Sequence, residues 1–138
     1  ALRDLLSPRV IVARNDASVR TLEGLREEVA VLHGDDATAT IEENGLAFRV
    51  DLAGGQKTGW FHDQRENRAR VAALAAGATV LDAFCHTGGF GLAAARAGAA
   101  QVTLLDRSQP ALDLALASAT ANGLAHVTAL RADALDAM

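Results

Sequence analysis

Cysteine occurs once in the chain, at Cys85, which excludes an internal disulfide and leaves no second thiol for a zinc site of ordinary spacing. His33, His62 and His126 have no ligand-like spacing to one another, so core or surface roles are expected for them and no metal is expected. Long apolar runs are missing as well. None approaches the roughly 20 residues that cross a bilayer, and the opening Ala1-Leu2-Arg3-Asp4-Leu5-Leu6 lacks the apolar stretch of a secretory signal. The expectation is a soluble, cytoplasmic protein with no membrane partner. Lysine is confined to Lys57, and the net charge of -4 leaves no surplus of cations with which the chain as a whole would grip a phosphate backbone. The preference for arginine and alanine over lysine and isoleucine reflects genome composition more than chemistry, yet it makes Lys57 conspicuous.

What is present is enough apolar material for a core: 138 residues, 50% of them hydrophobic. Arg9-Val10-Ile11-Val12-Ala13 reads as a short strand, and Asp16 to Leu25 as a polar turn or helix. The segments Thr38-Ala39-Thr40-Ile41-Glu42 and Leu46 to Leu52 alternate apolar and polar residues around Asn44-Gly45, which predicts a hairpin with a tight turn. A glycine-bracketed loop, Gly54 to Phe61, follows, and then a helix over Asp63 to Ala76 ending near Gly77.

Beyond Gly77 the pattern becomes that of an alternating α/β unit. Strands are expected at Thr79 to Phe84, Gln101 to Leu105 and Val127 to Leu130, with helices at Phe90 to Ala97 and Gln109 to Asn122 between them. That order implies a parallel sheet with right-handed crossovers. Ser108 suits the cap of the second helix, Pro110 its first turn and Gly123 its C-terminal end. A three-stranded parallel sheet has open edges and incomplete helix cover, so further chain or another molecule is expected to complete it, and homo-oligomerisation is compatible with such an edge.

In open parallel sheets ligands bind beyond the C-terminal ends of the strands, and here all three ends carry acids. The first runs Asp82-Ala83-Phe84-Cys85-His86-Thr87-Gly88-Gly89-Phe90, where paired glycines permit close backbone approach at a helix N-terminus. The second ends in Asp106 and the third is followed by Asp133. Only part of the Gly-x-Gly-x-x-Gly pattern of nicotinamide-binding folds is there, Cys85 and Thr87 fill places that a pyrophosphate would need, and Asp82 would repel it. This leaves an oxidoreductase as a weak third reading. A ligand with a ribose, an adenine and a cationic end fits better. Asp106 is placed to accept from ribose hydroxyls, Asp133 from the adenine amine, and Asp82 to favour an ammonium or sulfonium, the groups that S-adenosylmethionine combines. Against this, Asp106 and Asp133 could simply cap the helices that follow them. Cys85 has nothing visible nearby to lower its thiol pKa and is expected to be a small buried residue rather than a nucleophile. In the loop Gly55-Gln56-Lys57-Thr58-Gly59-Trp60-Phe61-His62-Asp63-Gln64-Arg65, Lys57 and Arg65 suit a carboxylate, and Trp60 and Phe61 suit packing.

Those two segments, Gly55 to Arg65 with Asn67-Arg68 and Val80-Leu81-Asp82-Ala83-Phe84 with Thr87-Gly88-Gly89-Phe90, resemble the large-subunit ribosomal RNA methyltransferases that modify cytosine at position 5. The likeness runs from about Arg9 to the C-terminus. It implies a Rossmann-like α/β methyltransferase fold of which residues 69–138 are the first half, preceded by a small α+β domain with a hairpin over residues 1–68, and with the family's PUA domain absent. It also implies S-adenosyl-L-methionine as cofactor and ribosomal RNA as substrate. Carried over by residue, the cofactor neighbours are Gln56, Lys57, Thr58, Arg65, Asp82, Phe84, Cys85, His86, Thr87, Gly88, Gly89, Asp106, Ser108 and Asp133. The family's Asp-Pro-Pro segment and its later catalytic cysteine do not occur, so no catalytic residue is expected among these 138. The competing expectation is a non-enzymatic RNA-binding or assembly module that retains a cofactor fold.

Overall fold

The computed structural model describes residues 2–55 and 59–137. They divide into two compact units, residues 1–39 with 51–60 and residues 40–50 with 61–138.

The first unit holds helix α1 (Leu2–Leu6), strand β1 (Ile11–Asn15), helix α2 (Val19–Leu22) and strand β2 (Glu28–His33), with β1 and β2 antiparallel and a register irregularity between Ile11 and Val12. Strand β2 escapes the sequence pattern because only Ala30 and His33 in it are half-buried, so it carries no alternating apolar face. Arg14 on β1 donates from Nη1 to the carbonyls of Leu52 and Gly55 at 3.2 and 2.8 Å while Nε and Nη2 hold Asp16. The Asp51 carboxylate accepts from the Ala53 and Gly54 N–H groups, both at 2.8 Å, which folds the chain back on itself just before residue 56.

Strands β3 (Thr38–Glu43) and β4 (Leu46–Asp51) form the expected hairpin. Its turn residues Asn44 and Gly45 have φ of 51° and 75°, the left-handed pair that matches strand twist in a two-residue turn. In β4 Leu46, Phe48 and Val50 are buried and Arg49 is exposed, the alternation the sequence shows.

In the second unit a 3-10 turn (His62–Gln64) leads into α3 (Arg65–Ala72), followed by β5 (Thr79–Ala83), α4 (Gly89–Arg96), β6 (Gln101–Asp106), α5 (Gln109–Ala121), β7 (Val127–Arg131) and α6 (Ala134–Ala137). The helix before Gly77 is shorter than the sequence suggests, since its last residues tighten into i→i+3 bonds, Leu74 N–H to Val71 and Ala75 N–H to Ala72. The sheet is parallel in the order β5-β6-β7, with Val80, Val102 and Val127 in one row and Asp82, Leu104 and Ala129 in the next of the same face. Helices α4 and α5 cover that face, burying Val102, Leu104, Leu92, Leu112 and Ala115. The opposite face carries Leu81 and Leu130, 51% and 48% exposed, together with the buried Leu105. Ser108 caps α5 by accepting from Ala111 N–H, and Pro110 sits in its first turn, as expected.

Strand β4 docks on α5 through side chains that imitate a neighbouring strand. Asn122 accepts from Ala47 N–H at 3.0 Å and donates to the Ala47 carbonyl at 2.7 Å. The buried Ser118 hydroxyl accepts from Arg49 N–H at 2.8 Å and donates to the Leu114 carbonyl at 2.8 Å.

Candidate functional site

The tip of β5 turns into α4 through residues 84–88, and the turn is tight enough to need three left-handed residues: Phe84 at φ 59°, His86 at φ 50° and Gly88 at φ 77°. The outcome alternates direction. Phe84 is 62% exposed, Cys85 and Thr87 are buried, and Gly88 is the N-cap residue of α4. Cys85 N–H still pairs with the Leu105 carbonyl at 3.1 Å, so the β5–β6 ladder runs one residue into the turn.

Two carboxylates from adjacent strand tips hold this turn. Asp106 accepts from His86 N–H through Oδ2 and from Ser108 N–H through Oδ1, each at 2.9 Å. Asp82 accepts from Gly91 N–H at 2.7 Å. That bond requires α4 to lie close on β5. A Cβ on Gly91 would land on the Leu104 side chain and crowd the Asp82 carboxylate, so any other residue forces them to shift. Each carboxylate oxygen has a second lone pair, so both acids keep acceptor capacity for a ligand.

Burial pushes the Asp82 carboxyl up to about 6, opposed by the Gly91 N–H and reinforced by the charge of Asp106. The Cys85 thiol is driven up to about 12, chiefly by burial and then by the same two acids, so it stays protonated at neutral pH and has no nucleophilic character. Burial also lowers the His86 imidazole below its ordinary value, against the pull of Asp106. The His86 ring meets the Phe61 ring edge-on, with centroids 6.0 Å apart and an interplanar angle of 86°. Its Nδ1 lies 3.5 Å from the Thr87 hydroxyl.

Of the residues named from the sequence, Asp82, Cys85, His86, Thr87, Gly88, Gly89 and Asp106 gather around this one turn, with Phe84 on its outer side and Ser108 bonded to Asp106. Asp133 follows β7, is exposed, and accepts from Leu135 N–H at 2.9 Å, which opens α6. Arg65 is exposed at the start of α3 and reaches Asn44 Oδ1 at 3.4 Å. Gln56, Lys57 and Thr58 lie outside the described residues. Sequence reasoning missed Gly91, whose signal was a third glycine two residues after Gly89, and gave no site role to Arg68, named only within the resembling segment, because nothing local distinguishes this buried arginine from its exposed neighbours Arg65 and Arg70. A turn whose carboxylates are held by backbone N–H groups and retain acceptor capacity suits a ligand bearing hydroxyls and a positive charge. No described helix is long and apolar enough to cross a membrane.

Comparison with known proteins agrees with that chemistry. The ribosomal RNA large subunit methyltransferase I of Photobacterium profundum is 47% identical over 116 residues, which cover 83% of this chain and 29% of that protein. The chain thus spans under a third of the length of this relative. A Streptococcus mutans protein described as a SAM-dependent methyltransferase superposes with a TM-score of 0.69 at 37% identity, covering 79% of this chain and 30% of the other. The fold is shared more widely: TYW2 of P. horikoshii, in complex with MeSAdo, gives a TM-score of 0.74 at 20% identity over 95% of this chain and 45% of its own. Residues 25–132 match the family described as S-adenosylmethionine-dependent methyltransferase, and it is to that family, with its Rossmann-like α/β fold, that the chain belongs.

Proposed function

We propose that this chain carries the methyl-donor site of an RNA methyltransferase that acts on large-subunit ribosomal RNA in the cytoplasm, at carbon 5 of a cytosine. The observation that carries the reading is the pair Asp82 and Asp106 closing on one left-handed turn at adjacent strand tips. The similarity to ribosomal RNA large subunit methyltransferase I supports the substrate. In this reading residues 1–68 are a small domain preceding the methyltransferase domain, of which residues 69–138 form the first half.

S-adenosylmethionine, when bound, supplies an electrophilic methyl group on a sulfonium. The residues of the chain position it. Asp106 accepts from the ribose hydroxyls with its remaining lone pairs, with Ser108 beside it, and Asp133 accepts from the adenine amine. Ionised Asp82 favours the cationic methionine end. Backbone at Gly88 and Gly89 allows close approach at the start of α4, and Phe84, Cys85, His86 and Thr87 wall the turn. Gln56, Lys57, Thr58 and Arg65 are assigned to the methionine carboxylate and its surroundings. Cys85, held as a thiol, takes no part in bond making. The contribution of these residues is orientation, so that the methyl carbon meets its acceptor in line.

Titration calorimetry of the full chain with S-adenosylmethionine and S-adenosylhomocysteine tests the site. Binding is expected, with Asp106→Ala reducing it by at least about 10-fold, the scale of one lost charge-assisted hydrogen bond. Circular dichroism of both proteins confirms that they are folded. Absence of binding to a folded chain, or indifference to Asp106→Ala, refutes the reading. For the substrate, mass spectrometry of ribosomal RNA from cells lacking the gene is expected to show loss of one 5-methylcytosine.

A further inference from the structure

We propose that Arg68 is a positioning residue of the methyl-donor site, one that with Glu43 fixes Phe61, whose ring meets His86, and Phe90, which follows the turn in α4. The inference rests on the reading of the Asp82–Gly89 turn as that site.

Arg68 lies on α3 and is 3% exposed. Its Nε and Nη2 fork onto Glu43 of β3, at 2.6 Å to Oε1 and 2.8 Å to Oε2. The same Nη2 donates to the Phe61 carbonyl at 3.0 Å, and the guanidinium carbon lies 6.0 Å from the centre of the Phe90 ring. An ion pair this deeply buried is a costly way to join a hairpin to a helix, because desolvation of both charges offsets much of their attraction. Adhesion alone could come from apolar side chains such as the buried Leu46, Phe48 and Val50 of the neighbouring strand. What the charged pair adds is direction. Glu43 fixes the plane of the guanidinium, one N–H of that plane is aimed at the Phe61 carbonyl, and Phe90 lies within cation–π range of the group.

Both contacts lead to the turn. The Phe61 ring abuts the His86 imidazole, and His86 N–H is the group that Asp106 holds. Phe90 follows Gly89 directly in α4, one residue before the Gly91 N–H that binds Asp82. Arg68 therefore touches Phe61, whose ring meets His86, and Phe90, which follows the turn in sequence. Lysine cannot replace it, since an ammonium is a point charge that cannot present a planar fork to Glu43 and a third bond to Phe61.

The test compares wild type, Arg68→Lys and Phe61→Leu as full chains, reading S-adenosylhomocysteine affinity by calorimetry and the titration of His86 by NMR. Thermal unfolding establishes that each is folded at the temperature used. Both variants are expected to bind about 10-fold more weakly, the scale of a small misplacement of a ligand-orienting group. In both, the His86 pKa is expected to rise toward its ordinary value as the ring loses burial beside Phe61 while Asp106 still faces it. A loss of stability alone would not move that titration. Should Arg68→Lys fail to fold, Glu43→Gln decides, read in the same two ways, because it keeps the shape of the side chain and removes the charge that holds the guanidinium. Folded variants that bind like wild type and leave His86 unmoved overturn the positioning role while the donor-site reading stands. A folded wild type that binds no S-adenosylhomocysteine overturns both.

Discussion

Replacing Asp82 by asparagine should make the folded chain more stable at neutral pH and worse at holding a cationic ligand. The carboxyl titrates at about 6 in the fold against an ordinary value of 3.8, mainly because burial disfavours its charged form. At about 1.4 kcal/mol per pH unit the difference corresponds to a cost of about 3 kcal/mol for keeping the group ionised in the fold. Below pH 3.8 the carboxyl is protonated folded or unfolded, and the cost is absent. As pH rises toward 6 the unfolded chain loses its proton first, so stability falls through this window, and above it the full cost persists. Asparagine has no such titration. Its carbonyl oxygen still accepts from Gly91 N–H, while its amide N–H groups need partners, a penalty of about 1 kcal/mol that applies at every pH. The net gain at pH 7 is then about 2 kcal/mol, reversing to a small loss near pH 4. Urea unfolding of wild type and Asp82→Asn at pH 4, 5, 6 and 7 measures the difference directly, with contributions from other groups cancelling. A difference that does not change with pH refutes the burial argument. In the donor-site reading, S-adenosylmethionine affinity of wild type also rises with pH through about 6, as the acid ionises, and that dependence is lost in Asp82→Asn.

Gly91→Ala is expected to lower stability by about 1–3 kcal/mol, read from urea midpoints, because its Cβ is driven onto the buried Leu104 side chain and the Asp82 carboxylate, which must both shift. Ser118→Ala removes the acceptor for Arg49 N–H and should cost about 1–3 kcal/mol, whereas Thr120→Ala on the exposed side of the same helix should cost much less. Cys85, buried with its thiol pushed up to about 12, should resist iodoacetamide at pH 8 in the folded chain and react readily in urea, as followed by mass spectrometry.

The sheet and its helices were legible because their signals are local and redundant. Apolar runs of strand length, the Asn44-Gly45 turn and the Ser108, Pro110 and Gly123 punctuation of α5 all point the same way, and each stands within two residues of where the sequence places it. The acids at the strand tips were legible for a topological reason, since a parallel sheet puts its C-terminal ends side by side wherever the strands are identified. Contacts between distant segments were not. Asn122 looked like a helix C-terminal residue, and it is one, but nothing local shows that its side chain serves both backbone groups of Ala47, 75 positions away. Arg68 sits in the run Arg65-Glu66-Asn67-Arg68-Ala69-Arg70, where composition predicts a solvated helix, and its burial becomes visible only when Glu43 arrives from the hairpin.

The turn itself resisted sequence reasoning for a different reason. Glycine announces left-handed backbone at residue 88, yet the same conformation at Phe84 and His86 has no sequence signature, since bulky residues there carry strain of about 1–3 kcal/mol each. Such strain persists only where the surroundings over-determine the backbone, and here they do. The Leu105 carbonyl holds residue 85, Asp106 holds residue 86, and Gly88 N–H returns to the Cys85 carbonyl at 2.8 Å. A glycine at 84 or 86 would relieve the strain and also free the chain, whereas the bonded, side-chain-bearing turn keeps Phe84 outward, Cys85 inward and His86 against Phe61. The strain is therefore the cost of a rigid turn, and a rigid turn is what a site that works by orientation requires.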